Sequence, residues 1–245
     1  MTGKTALVDL NLEAGGLSSF LGLDPDRSIA DMAAHRGGLT RRPISAYVTR
    51  YSSGLDLLAA PEEVNLAEKI APEFVFELLQ ELREDYEHVV LDLQHTVDAA
   101  TVAALDQSDK IILVLSLDIP AIRSAMRALQ IFDRAGYSRR KIRVVVNRWS
   151  KNTDLGLREV EELICEPVLG SLQSDYRTVA RSVNLGKPLV EIHPRSKISR
   201  QIRKIALTLT SGSVQEEDGK SRRSWNCFLK RSLPHSGPRA FSQNF

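Results

Sequence analysis

Three short apolar runs constrain this chain more than any other feature: His88–Leu93 (HVVLDL), 110–117 (KIILVLSL) and 141–146 (KIRVVV). Apolar residues fill consecutive positions over lengths too short for ordinary helices. That is the pattern of strands buried on both faces of a parallel sheet. Helix-length segments stand between them, at 96–105 and at 119–135, the latter closed by Gly136. Strands alternating with helices predict an α/β fold with one doubly wound, mostly parallel sheet.

The remaining segments extend the same alternation. The opening LVDLNL reads as a strand ending in two polar side chains, Asp9 and Asn11, followed by a loop of small residues. Residues 28–35 form a short helix, with Ser28 and Asp31 as an approximate capping box and Gly37-Gly38 as its stop. Residues 44–51 alternate like an edge strand, 54–59 give another strand, and a long helix starts near Pro72. After the third apolar run come a helix at 155–164, a strand at 168–172, a helix at 175–184 stopped by Gly186-Lys187-Pro188, and a last helix at 195–209.

Composition divides the chain in two. Hydrophobic residues make up 42%, enough for a full core in residues 1–210. Residues 211–245 are rich in Ser, Gly, Pro and charge, which predicts a disordered tail. Six of the 33 Lys and Arg lie in that tail, against Glu216, Glu217 and Asp218. The body is therefore close to neutral and lacks the clustered basic footprint of a DNA-binding domain. Trp225 and Phe228 sit among Arg222, Arg223, Lys230 and Arg231, a composition suited to an anionic membrane surface, with a solvated basic tail as the plainer reading. Cys165 and Cys227 have no CxxC spacing, so a disulfide framework or zinc site is not expected and a reducing cytoplasm is.

Gly3-Lys4-Thr5 resembles the end of a phosphate-binding loop, but that loop follows a strand and opens a helix. Here the triplet leads directly into the apolar run ALVDL. The better match is to LVDLNLEAGGLSSFLGL as a whole, which resembles the second conserved segment of the MinD/ParA class of deviant-Walker ATPases. Together with VVLDL, the Asn147 strand end and SLQSDYRTVARSVNLGKPLVE, it is most similar to the CpaE/TadZ proteins of Flp (Tad) pilus assembly.

That resemblance implies ATP and Mg²⁺ as cofactors, a homodimer working with pilus and secretion proteins, and a cytoplasmic location peripheral to the membrane or at a cell pole. It implies that Asp92 holds Mg²⁺ through water, as a carboxylate at the end of a buried strand can. Asp9 and the residue at position 11 would serve catalysis, the latter by positioning the attacking water; this chain carries Asn11 where the class has a second acid. Asn147 would meet the adenine edge, with Gln173 and Asp175 as further nucleotide neighbours. Gln94 stands where a proline is usual, and Arg123 lies in a segment that often meets the partner subunit. The resemblance also implies that the first strand, phosphate loop and first helix of the class lie outside this chain, leaving neighbouring strands unpaired. The rival expectations are a non-catalytic scaffold with the same fold and a ParA-like partitioning factor, the second disfavoured by the neutral body.

Overall fold

The computed structural model describes residues 3–35, 43–52, 54–63, 66, 70–151 and 155–211. The stop at Gly37-Gly38 and the tail with Trp225 and Phe228 lie outside the described residues. Among the described residues seven strands alternate with helices: β1 (Thr5–Leu10), α1 (Leu17–Leu21), α2 (Ile29–His35), β2 (Thr49–Ser52), β3 (Leu55–Leu58), α3 (Pro72–Asp85), β4 (His88–Leu93), α4 (Ala99–Gln107), β5 (Ile111–Ser116) and α5 (Ile119–Arg134). They continue as β6 (Ile142–Trp149), α6 (Leu157–Ile164), β7 (Val168–Gln173), α7 (Tyr176–Asn184), α8 (Leu189–Ile192) and α9 (Lys197–Thr210).

The α/β class and parallel pairing follow the sequence expectation. β1 runs parallel to both β3 and β4, and β6 parallel to both β5 and β7. β2 is the antiparallel edge, shorter than expected because Ile44–Ala46 forms a 3₁₀ turn. Two short helices, α1 and α8, were not legible in the sequence. Both have fewer than six residues, and what holds them is tertiary contact rather than helix propensity.

Among the described residues the strands form two sheets, β2-β3-β1-β4 and β5-β6-β7. They stand side by side. Helix α4 connects β4 to β5 and places Ala104 in the first core and Leu105 in the second, while Leu93 packs against both. The expectation that β4 and β5 are covered on both faces does not hold. Val90 is 50% exposed, Ile112 47% and Val114 55%. Their consecutive apolar sequences suit strands with neighbours on every side, but each has one hydrogen-bonded neighbour here.

Caps set the helix starts. Ser28 donates its N–H (2.7 Å) and hydroxyl (2.8 Å) to Asp31, and Asp98, Asp118, Asp175 and Ser196 each accept from a backbone N–H in the first turn of α4, α5, α7 and α9. At the amino end of the first sheet, buried Asp56 accepts from the Tyr86 hydroxyl (2.8 Å) and is flanked by Lys4 (3.6 Å) and Arg50 (3.5 Å). Lys4 also lies over the Tyr86 ring, 4.1 Å from its centre. Gly3-Lys4-Thr5 thus closes the strand end remote from the carboxyl edge. Tyr86→Phe should cost about 1–2 kcal/mol, since it leaves a buried carboxylate short of a donor. Urea denaturation checks this; a midpoint equal to wild type would mean Lys4 and Arg50 satisfy Asp56 unaided.

Candidate functional site at the carboxyl edge of the strands

The sequence-predicted residues fall at strand ends on one edge, where ligands of open α/β sheets bind. Asp9 of β1 and Asp92 of β4 are register partners on adjacent parallel strands. Ser116 of β5 is the register partner of Asn147 on β6, and Trp149 that of Gln173 on β7.

Asp9 is 2% exposed, and its carboxylate is already engaged. It accepts from the backbone N–H of Asn11 (3.2 Å), Gly16 (2.9 Å) and Leu17 (3.1 Å). The side chain therefore ties strand β1 to the start of α1 and folds 11–17 into a compact loop. The Asn11 carbonyl tightens that loop by accepting from Ala14 (3.3 Å) and Gly15 (2.7 Å). The Asn11 amide side chain is half-buried and makes no hydrogen bond among the described residues.

Asp92 lies beside this clamp with its carboxyl pushed up from the ordinary value, first by burial and then by the negative charge of Asp9. Among the described residues no cation stands within ion-pair distance of Asp92. A carboxyl raised in the fold binds more protons than in the unfolded chain. Its contribution to stability is therefore lost as pH climbs from the ordinary carboxylate value through the raised one. Asp92→Asn removes that loss, so it should stabilise the protein at pH 7 but leave it unchanged near pH 3. Because Asp92 is open to solvent on one side, the gain should stay below about 1 kcal/mol. Thermal melts at the two pH values test the sign.

At the other strand ends, Asn147 accepts the Arg148 N–H on its own Oδ1 (2.8 Å), and Arg148 adopts a left-handed backbone at φ 53°. That kink turns the chain at the end of β6, and Lys197 sits over the Trp149 ring, 6.0 Å from its centre. Asp175 is spent as the N-cap of α7, accepting from Thr178 (3.2 Å). Gln173 donates its backbone N–H to the Gln201 side-chain oxygen (3.0 Å), yet its own Oε1 is buried without a donor. Gln94 shows the same feature: its amide N donates to Asp98 (2.6 Å) while its Oε1 is buried and unpaired. Buried acceptors of this kind are uncommon. Arg123 is exposed on α5.

Sequence reading missed Ser116 and Asp118. The Ser116 hydroxyl donates to Asp118, which also caps α5 through the Ala121 N–H (2.9 Å). These bonds hold the Asp118 carboxyl below the ordinary value. The signal was present as Ser-x-Asp before the Pro of a helix first turn. No group of three or more metal-ligating side chains occurs among the described residues. Asp92 with Asp9 behind it fits a hydrated Mg²⁺, which keeps most of its waters and takes one or two carboxylates.

No family model matches the chain. An uncharacterised ATP-binding protein of Methanocaldococcus jannaschii is 25% identical over 226 residues, covering 91% of this chain and 82% of that protein. The septum site-determining protein MinD of Bacillus subtilis is 24% identical over 216 residues, covering 86% and 79%. Among solved structures, a ParA family ATPase from Chlorobium tepidum superposes with a TM-score of 0.78 at 22% identity over 86% of this chain and 87% of that one. MinD of Pyrococcus horikoshii, solved with Mg-ADP, gives 0.73 at 19% identity over 85% and 84%. This chain is therefore similar in sequence to MinD proteins and to an ATP-binding protein, and it shares the α/β fold of MinD and ParA-family structures.

Proposed function

We propose that this chain is a CpaE/TadZ-like protein that helps place a Flp (Tad) pilus secretion machine, acting through its fold and its partners rather than through rapid turnover of ATP. The observation that carries this reading is Asn11. It stands in the loop clamped by Asp9, itself the register partner of Asp92, where the class uses a second carboxylate. An amide can orient a water by hydrogen bonds, but it cannot take the proton as a carboxylate base does.

Within this reading Asp92 holds Mg²⁺ through water, and Asn147, Gln173 and Asp175 meet the base and its surroundings. The register of Asn147 beside Ser116, and of Gln173 beside Trp149, supports their sharing one edge with Asp92. The phosphates need a glycine-rich loop, which Gly3-Lys4-Thr5 does not supply at the opposite edge of the sheet. In this reading the protein acts as a homodimer peripheral to the membrane or at a pole. A scaffold that never binds nucleotide is the second reading, favoured by the full engagement of Asp9 with backbone amides.

The experiment pairs titration calorimetry of ATP–Mg²⁺ with a pilus assembly assay in a deletion strain complemented by variants. Wild type should restore pili while hydrolysing ATP slowly or not at all. Asn11→Asp should raise any measurable turnover about a hundredfold, the lower end of general-base contributions. Restoration of plasmid partitioning instead of pili would overturn the reading.

A further inference from the structure

We infer that the outer face of α9 is a docking surface for an acidic segment of this same chain, residues 214–218, which lie outside the described residues. The helix comes first. One side of α9 is committed to the body: Ile198 and Ser199 are buried, Ile205 lies against Gly170 of β7, and Gln201 accepts the Gln173 N–H. The opposite side carries Arg200, Arg203, Lys204, Leu207, Thr208 and Ser211. Their spacing of three and four residues makes a single helical stripe. They line an open groove of about 380 Å³, in which Leu207 is 61% exposed.

The second observation is charge. Residues 195–211 contain Arg195, Lys197, Arg200, Arg203 and Lys204 and no Asp or Glu. Among the described residues neither Arg200 nor Lys204 has a carboxylate within ion-pair distance. Arg203 is held in place by donating to the carbonyls of Pro194 (2.7 Å) and Val190 (3.0 Å), neutral partners that leave its charge uncompensated. Like charges one turn apart on a helix repel. The stripe therefore favours an anionic occupant with one apolar side chain for Leu207.

The chain supplies that occupant where α9 stops. Ser211 is both the C-cap of α9 and a wall of the groove, and Gly212 follows at the position where glycine commonly reverses a helix end. Val214 is the next apolar residue, and Glu216, Glu217 and Asp218 are the only acids in residues 212–245. The dimensions agree. From Leu207 back to Arg200 the helix rises about 10 Å. An extended segment from Val214 to Asp218 spans about 13 Å, a difference that long Arg and Lys side chains cover. Alternate side chains of such a segment share one side. Val214 then meets Leu207, Glu216 meets Lys204 and Arg203, and Asp218 meets Arg200, while Glu217 faces water. Exposed ion pairs are individually weak, but a short tether holds the segment at an effective concentration on the order of millimolar. Any other anionic partner of α9 must displace it.

The test is NMR relaxation on the full chain. At low salt the amides of 214–218 should have order parameters above about 0.6, with those of 222–245 below that value. Raising the salt to about 1 M should bring the two segments level, because exposed pairs are screened. Glu216→Gln should loosen 214–218 and shift the amide signals of 203–208. Glu217→Gln makes the same change in charge and should do neither. Lys204→Glu, at an exposed position, should leave folding intact and release the segment, and adding Glu216→Lys should restore the contact. A synthetic peptide spanning 212–219 should bind the Glu216→Gln chain at least threefold more tightly than wild type, whose groove is already filled. Residues 214–218 as mobile at low salt as 222–245, equal effects of Glu216→Gln and Glu217→Gln, or no recovery in the charge exchange would each overturn the inference. The readout needs neither nucleotide nor pilus, so its failure leaves the pilus reading standing, and the reverse.

Discussion

Replacing Gly186 with valine is expected to destabilise the protein by about 2–5 kcal/mol. Two costs combine. Gly186 sits at φ 58°, a left-handed backbone that a β-branched residue adopts only at about 1–2 kcal/mol. A Cβ there would also stand 2.7 Å from the Gly22 Cα and 2.9 Å from the Gly22 N. Those are backbone atoms of another left-handed glycine, at φ 60°, that caps α1. Neither can yield without parting α1 from the end of α7. Gly136→Val isolates the first cost, because Gly136 has φ 78° but open space around its Cβ position, and it should lose only about 1–2 kcal/mol. Gly16→Ala, extended and unobstructed, should be close to neutral. Urea denaturation of the three variants reads the series; equal midpoints for Gly186→Val and Gly136→Val would show that the crossing with Gly22 relaxes freely.

Asp9→Ala should cost about 2–4 kcal/mol, because three backbone N–H groups lose their acceptor together. The loss is partly offset, since removing the Asp9 charge relieves Asp92, whose carboxyl it helps push up. Hydrogen exchange should locate the damage: amides of 11, 16 and 17 should lose protection while β6 and β7 keep theirs. Asp9→Asn retains one carbonyl acceptor and should fall between alanine and wild type. A variant as stable as wild type would mean that the loop after β1 is held by its own turn, with the Asn11 carbonyl sufficient. The result also bears on catalysis, because a group that supports its loop this strongly affects activity by folding before it affects it by chemistry.

The element pattern was readable because it depends on local periodicity. HVVLDL begins and ends where β4 does, and the long helices α3 and α5 follow Pro72 and the Asp118 cap closely. Residue order also places Asp9, Asp92, Asn147 and Gln173 at strand ends, which is enough to gather them on one edge. Their occupations were not readable. Asp9 as a clamp, Asp175 as a cap and Gln94 with a buried unpaired oxygen follow from loop paths that close over many residues. The Ser116–Asp118 contact was written locally and could have been seen.

Sequence alone thus determined the α/β class, the parallel strands and the composition of the carboxyl edge, because alternation of apolar and polar residues is imposed residue by residue. Only the tertiary structure decided which strands touch. A consecutively apolar strand of six residues suits cover on both faces, but its own sequence does not name the neighbours it pairs with. Whether Val90, Ile112 and Val114 are covered depends on what lies across the sheet from them, and here those side chains are exposed on the end strands of two separate sheets. The backbone crossing of Gly22 and Gly186 is of the same kind, since it joins residues far apart in the chain whose closeness only the folded packing creates.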